Sequence, residues 1–364
     1  MESIIKFVLI GNVDHGKSTL GGSILVGTGN VTENDIRKVQ NEANGMKMPS
    51  WWLAYILDID ESERIKGKTH SYNVISFTYK SNKFELIDVP GHKDLVQEMI
   101  YGTSQANVAI LVLSARKGEY EAGLSGQTIE HTLIVRGMGI TKLIVCINKM
   151  DTIEWNPDTY NFIVNDFLKK IKKYRFKEII FVPISAYNQE NIIVKYDNSL
   201  AQMSLMDTLI KIHDSSNHLN HLNHLNHLNH LNHLNHLNHL NHKEIKLNNN
   251  YARGKFIFYH IDNLITIGYR CKLHTKDKLY DCIISKIFSL QYITQSNSQN
   301  KLIDIIIKIS DVNNELIASD LSNLSNSSNL SNLSNSSRVI DTLSSQHIIL
   351  RNGNNTIAIG ILEY

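Results

Sequence analysis

Cysteine is scarce: only Cys146, Cys271 and Cys282 occur in 364 residues. Three scattered thiols cannot build a disulfide framework, and no C-x-x-C spacing suggests a metal site, so a reducing compartment is the simple expectation. Long apolar runs are missing too. None reaches the roughly 18 to 20 residues that a membrane span needs, so no membrane partner is expected. The amino terminus has no charged segment, apolar segment and cleavage site of the secretory kind, which makes the cytoplasm the default location. Charge of one sign is also lacking. A formal net charge of +2 is not the extreme balance by which strong nucleic-acid binding usually announces itself.

What is present is a globular composition, 42% hydrophobic and 20% charged, interrupted by two biased tracts. Residues 218–242 repeat His-Leu-Asn, and residues 321–337 are a run of Leu-Ser-Asn and Ser-Ser-Asn units. On a helix, a three-residue repeat carries its leucines around the axis rather than along one face, so the histidine tract offers no core, and the second tract is expected to be a surface loop. The histidine tract reads either as a solvated linker or as a metal-binding tract. About 320 residues remain for packed structure, room for two or three domains.

The first part of the chain alternates short apolar runs with amphipathic stretches, the pattern of a parallel sheet with crossover helices. Strands are predicted at Ile4 to Ile10, Tyr72 to Tyr79, Phe84 to Asp88, Val108 to Ser114, Leu143 to Asn148 and Ile179 to Pro183. Runs such as VAILVLS and KLIVCIN imply burial on both faces, as a doubly wound sheet requires. Helices are predicted at Gly16 to Val26, Leu95 to Gly102, Thr128 to Met138 and Asp158 to Tyr174, with a last one near Met203 to His213. After the histidine tract, short apolar segments separated by Asn, Ser and Gly predict one small β-barrel or sandwich. The division expected is a nucleotide-binding domain over 1–213, a linker over 214–250, and a barrel over 251–364 interrupted by the second tract.

Three motifs carry chemistry. GNVDHGKS, Gly11 to Ser18, fits the phosphate-binding pattern GxxxxGK[ST], directly after a strand and opening a helix. Its backbone from Gly11 through Asn12, Val13, Asp14, His15 and Gly16 can wrap a polyphosphate, with the helix that carries Ser18 and Thr19 presenting its positive end. Lys17 is expected to reach the β and γ phosphates and Ser18 to ligate Mg²⁺. DVPGH, Asp88 to His92, ends a strand; Asp88 can hold the same metal through water, and Gly91 lets its N–H approach the γ-phosphate. NKMD, Asn148 to Asp151 with Lys149, ends another. The Asp151 carboxylate can accept two bonds from a guanine edge, whereas adenine would leave a buried acceptor unpaired at about 1–3 kcal/mol. GTP is therefore the expected nucleotide, with Ser185 and Ala186 completing its base loop.

Together with RIKGKT (Arg64 to Thr69) and GQTIEH (Gly126 to His131), these motifs resemble the translational GTPases. The fold implied is a P-loop GTPase of the α/β class, a doubly wound, mostly parallel sheet, followed here by one small β-barrel. The insert from Val31 to Ser62 resembles the branch that holds elongation factor 1-alpha, the release-factor GTP-binding subunit and the ribosome-rescue GTPase. KGKT and SARKGEYEAG (Ser114 to Gly123) are most similar to the release-factor subunit, whereas MIYGTSQA (Met99 to Ala106) leans toward elongation factor 1-alpha. By this resemblance Thr69 binds Mg²⁺ and senses the γ-phosphate, and His92 positions the attacking water. Asp14 matches an acidic position that helps order the phosphates, and Asn12 departs from a usual histidine. Leu350 to Tyr364 and Leu264 to Thr275 resemble parts of the family's third domain, so the family's middle barrel is expected to be absent.

The resemblance implies ribosome-stimulated GTP hydrolysis, in termination with the stop-codon-reading release factor. The alternatives are rescue, or elongation with aminoacyl-tRNA. A GTP-binding scaffold without ribosomal activity is the expectation from another class, favoured by the missing barrel and opposed by the intact Lys17, Thr69, Asp88 and His92.

Overall fold

The computed structural model describes residues 4–57, 72–92, 95–124, 127–214, 251–258, 265–274, 279–288, 293, 303–309, 347–352 and 355–363. Both biased tracts lie outside the described residues. The chain divides into two compact units, each treated by itself.

The first unit is built on six strands: β1 (Ile5–Ile10), β2 (Asn73–Tyr79), β3 (Asn82–Asp88), β4 (Val108–Ser114), β5 (Lys142–Asn148) and β6 (Glu178–Pro183). Their order is β2-β3-β1-β4-β5-β6. All neighbours run parallel except β2, which pairs antiparallel with β3. Burial follows position in the sheet. Central β4 is buried at every residue, whereas edge strand β2 alternates exposed and half-buried residues apart from buried Phe77, whose ring stacks on Phe84 directly across the pair at 5.0 Å. The β2–β3 turn places Lys80 and Ser81 both at positive φ, the geometry of a two-residue type I′ hairpin that matches strand twist. For that reason β3 begins at Asn82, two residues before the apolar run that predicts it.

Among the helices described between these strands are α1 (Lys17–Gly27), α4 (Val96–Ser104), α5 (Glu119–Leu124), α6 (Gln127–Gly137) and α7 (Pro157–Ile171). In α7, Asn156 accepts the Thr159 amide at 3.0 Å and Pro157 sits in the first turn, a start signal written in the sequence. Its stripe Ile163, Phe167, Ile171 is buried. A last helix over residues 205–214 sends Leu205, Met206, Leu209 and Ile212 into the main core, beside Phe7, Leu20 and Ile144.

The insert after α1 is helical: α2 (Glu33–Gly45), a 3₁₀ turn at Pro49–Trp51 and α3 (Trp52–Tyr55). Thr32 caps α2 by accepting the Asp35 amide at 3.2 Å. Val39, Ala43 and Tyr55 form a small core between α2 and α3, and Leu57 joins the main core.

The second unit is a closed six-stranded barrel: β7 (Tyr251–Phe258), β8 (Arg270–His274), β9 (Leu279–Ile287), β10 (Ile303–Ile309), β11 (His347–Asn352) and β12 (Asn355–Glu363), in the order β10-β7-β12-β11-β8-β9. Every pairing is antiparallel. Alternate residues point inward, which places Phe256, Leu273, Ile284, Ile305, Ile307 and Leu350 in one core. Of the two predicted forms, barrel or sandwich, the chain takes the barrel, which leaves no open sheet edge.

Candidate nucleotide-binding site

The candidate residues gather at one edge of the sheet because they follow the carboxyl ends of parallel strands. Gly11–Thr19 follows β1, Gly91 and His92 follow β3, Arg116 follows β4, Asn148–Asp151 ends and follows β5, and Ser185–Ala186 follows β6. This is where open α/β sheets bind ligands, and β1 stands at the point where strand order reverses. A cavity of about 480 Å³ opens there, large enough for a small-molecule ligand.

Val13, Asp14, Gly16, Lys17, Ser18 and Thr19 line the cavity together with Gly91 and His92 and with Asn148, Lys149 and Asp151. Gly11, Asn12, His15, Asp88, Ser185 and Ala186 are absent from its wall. Several of these brace the wall from behind. Thr69 lies outside the described residues.

The loop is shaped by backbone that ordinary residues resist. Gly16 has φ +91, and a Cβ there would lie 2.5 Å from Asn148 Nδ2. Gly91 is tight for another reason: its Cβ would lie 2.6 Å from Lys17 Nζ and 3.4 Å from the Val13 amide. Thus the two loops close on each other around the lysine ammonium, leaving space that only hydrogen fills. Such a cradle, directly before the positive end of α1, suits an anion.

Lys17 is 9% exposed and donates to the Asn12 carbonyl at 3.1 Å. Burial lowers its pKa from the usual lysine value, while the charges of Asp88 and Asp14 partly restore it. A cation held under desolvation is one that a phosphate would stabilise. His15 is 1% exposed. Its Nδ1 and Nε2 lie 3.1 Å from the carbonyl oxygens of Val112 and Glu119. Burial lowers its pKa despite those two carbonyls, with Lys17 and Lys149 adding to the effect. The imidazole is thus a strut between the phosphate loop, β4 and α5.

The side formed by Asn148 to Asp151 is braced as tightly. Asn148 Nδ2 donates to the His15 carbonyl at 2.9 Å, and its Oδ1 accepts the Ala186 amide at 2.9 Å. Lys149, at φ 64, donates to the Asp14 carbonyl at 2.8 Å and to Glu119 Oε2 at 2.6 Å. Burial would raise the Glu119 carboxyl, but bonds from Lys149 and Ser114 and the charges of Lys149 and Arg116 outweigh it and hold it low. Ser185 donates to Asp151 Oδ1 at 2.6 Å, fixing the carboxylate that faces the cavity.

Donor chemistry fits a hard cation. Ser18 offers a hydroxyl in the cavity wall, and Asp88, 1% exposed, offers carboxylate oxygens at the end of β3. Among the described residues no group of three or more His, Cys, Asp or Glu could hold a metal by itself. Few protein oxygens beside a polyphosphate is the arrangement Mg²⁺ favours, because it keeps several waters.

Sequence reasoning missed part of the wall. Ser50, Trp51 and Ala54 enter from the helical insert, with Arg116, Thr152 and Tyr187 from the strand-end loops. The insert carried a usable signal: Thr32 three residues before Asp35 marks a helix start. Nothing local marks Tyr187, which is 51% exposed.

A doubly wound sheet with a glycine-cradled lysine at its switch point defines the P-loop class of nucleotide-binding proteins. The chain belongs to the family of the elongation factor Tu GTP-binding domain, whose family model matches residues 2–216. Its relatives include the eukaryotic peptide chain release factor GTP-binding subunit of Schizosaccharomyces pombe, 40% identical over 223 residues, which are 59% of this chain and 34% of that protein. Elongation factor 1-alpha of Desulfurococcus mucosus is 45% identical over 201 residues, 53% of this chain and 46% of that protein. The matches thus span less than half the length of these relatives. The GTPase-like domain of Saccharomyces cerevisiae Ski7, solved with GDP and inorganic phosphate, shares the fold at TM-score 0.73 and 14% identity, over 99% of this chain and 97% of that one. Among the described residues no helix is long and apolar enough to cross a membrane.

Proposed function

We propose that this chain is a translation factor that binds GTP with Mg²⁺ and hydrolyses it on the ribosome, in termination beside the stop-codon-reading release factor. The observation that carries the reading is the convergence of three separated motifs on one cavity: the Lys17 loop, Gly91 with His92, and Asn148 to Asp151. In this reading Lys17 and the Gly11–Thr19 amides hold the phosphates, and Asp151, fixed by Ser185, reads the guanine edge. Ser18 and Asp88, with Thr69, hold Mg²⁺, which when bound neutralises charge developing on the transferring phosphoryl group. His92 orients the attacking water, and Gly91 with Thr69 senses the γ-phosphate. The domain boundaries proposed are 1–213 for nucleotide binding and 251–364 for the barrel, in a cytoplasmic protein.

Termination is favoured by the KGKT and SARKGEYEAG segments and by the release-factor subunit among the relatives. Elongation is the second reading, supported by the elongation factor 1-alpha relative and by MIYGTSQA. Partner capture in GTP and in GDP separates them. Termination requires retention of the stop-codon-reading factor, and tight GTP-dependent binding of aminoacyl-tRNA would select elongation instead. Ribosome-stimulated hydrolysis tests the shared premise: a nucleotide-binding sample with no stimulation would be the scaffold, not the factor.

A further inference from the structure

The small net charge conceals a local concentration. Residues 169–177 read KKIKKYRFK, so Lys169, Lys170, Lys172, Lys173, Arg175 and Lys177 place six cations in nine positions of a chain whose formal net charge is +2. All six are exposed. They run from the last turn of α7, through a 3₁₀ turn at Lys172–Tyr174, to Arg175 in the left-handed region at φ 53. Between them, Ile171 and Tyr174 are each 1% exposed and anchor the segment to the core. Arg136 Nε also donates to the Tyr174 carbonyl at 3.2 Å. The cations are therefore displayed by fixed backbone.

Two ordinary explanations cover only part of this cluster. Cations in a helix's last turn offset its dipole, which accounts for Lys169 and Lys170 but not for the four beyond the helix. Local neutralisation accounts for one: Lys170 lies 3.5 Å from Asp166, and none of the other five has a carboxylate in ion-pair range among the described residues. The Lys173 ammonium rests 5.3 Å from the Tyr174 ring centroid, and partial burial alone lowers its pKa from the usual lysine value.

We propose that this surface, at the carboxyl end of α7, docks the phosphodiester backbone of double-helical RNA. Lysine is depleted in protein–protein interfaces, so a lysine-rich patch is poorly suited to a protein partner. A membrane surface would call for a continuous apolar face beside the cations, but the stripe Ile163, Phe167, Ile171 is spent on the core, and the exposed large apolar residues of α7 are only Phe162 and Leu168, six positions apart. A nucleic-acid duplex offers closely spaced phosphates, and its backbone is recognised without regard to sequence. The proposal rests on the translation reading for the presence of RNA, and not on the nucleotide chemistry.

The test uses the full chain, a fluorescent RNA duplex of about 20 base pairs, and anisotropy titrations between about 50 and about 200 mM salt. The triple variant Lys169→Gln, Lys172→Gln, Lys177→Gln is compared with the same three positions changed to Arg. Each phosphate that the protein no longer neutralises takes about 0.9 off the slope of log affinity against log salt. The glutamine variant is therefore expected to lose about 2 to 3 in slope and at least tenfold in affinity at about 100 mM salt. The arginine variant keeps both, and unchanged GDP affinity in the two variants reports an intact fold. Equal affinity and slope in the glutamine variant would overturn the proposal. So would lysine-dependent binding to anionic phospholipid vesicles by a chain that does not bind the RNA. Ribosome-stimulated hydrolysis is read separately. A chain that holds RNA through these lysines but shows no stimulation keeps this surface and loses the translation reading. A stimulated chain whose RNA binding ignores the lysines does the reverse.

Discussion

The Asn148 side chain donates to the main-chain oxygen of His15 at 2.9 Å, tying the end of β5 to the phosphate loop across 133 residues of sequence. Through its other amide atom it accepts the Ala186 N–H, so one 2%-exposed side chain fixes three loops. Asn148→Ala leaves a carbonyl and an amide unmet in a buried place. A loss of about 3 kcal/mol in unfolding free energy is expected, together with faster GDP release, measured by urea denaturation and fluorescent-nucleotide dissociation. A variant within about 0.5 kcal/mol of the native chain would show that the loops hold their positions without this side chain.

Asn148 also shows what the sequence makes legible. NKMD at a strand end announces a loop that lines the cavity, because its residue types stand at fixed spacing; its proposed part in reading the base is a separate claim. The bracing role of Asn148 is not announced, since it depends on where the His15 carbonyl falls in space. The same division runs through the fold. VAILVLS and KLIVCIN are readable as β4 and β5 because double burial leaves a continuous apolar run. The start of β3 is hidden by a polar hairpin whose type I′ turn uses Lys80 and Ser81 rather than the usual Asn-Gly. Trp51 reaches the cavity only because the insert folds back through Tyr55 and Leu57, which no local pattern records. The basic cluster after α7 is visible residue by residue, but the near-zero net charge averages it away.

Gly91 predicts a separation of stability from binding. The nearest atom to a Cβ there is the tip of Lys17 at 2.6 Å, a flexible group that can move, with the Gly11 carbonyl next at 3.2 Å. Gly91→Ala should therefore fold, with stability lowered by about 1–3 kcal/mol, while displacing the ammonium from the cradle. GTP affinity should fall tenfold or more in a titration calorimeter. Unfolding of the variant at ambient temperature would mean that the backbone, not the lysine, takes up the clash.

The barrel carries a pH dependence of known sign. His274 is 7% exposed, and burial, with Arg351 and Lys272 nearby, pushes its pKa from 6.5 down to about 3. The unfolded chain therefore takes up this proton first. Nothing is lost above about pH 6.5, and stability falls as pH drops from there toward 3, by about 1.4 kcal/mol per unit once the unfolded imidazole is charged. Between pH 7 and pH 5, His274→Gln should lose about 2 kcal/mol less than the native chain. His15 has the same sign but is common to both proteins, so it cancels. Hydrogen exchange of β8 amides, corrected for intrinsic rate, reads the difference. Parallel pH profiles would mean that His274 stays equally titratable in both states.

His92 stands in the cavity wall beside Gly91 and opposite the Lys17 loop, which allows the water-positioning role to be separated from nucleotide binding. If it only orients water, His92→Ala should keep GTP affinity within about threefold, because it removes no group that holds phosphate or base. Ribosome-stimulated turnover should fall by about 10²-fold or more, the usual effect of removing a positioned acid–base group. Lys17→Ala supplies the opposite pattern: without the ammonium, nucleotide binding itself is expected to disappear. Single-turnover hydrolysis at saturating ribosomes, with binding measured on the same samples, distinguishes the two. Unchanged turnover in His92→Ala would remove this histidine from the mechanism and shift attention to Arg116, the cation on that wall outside the loop and base motifs.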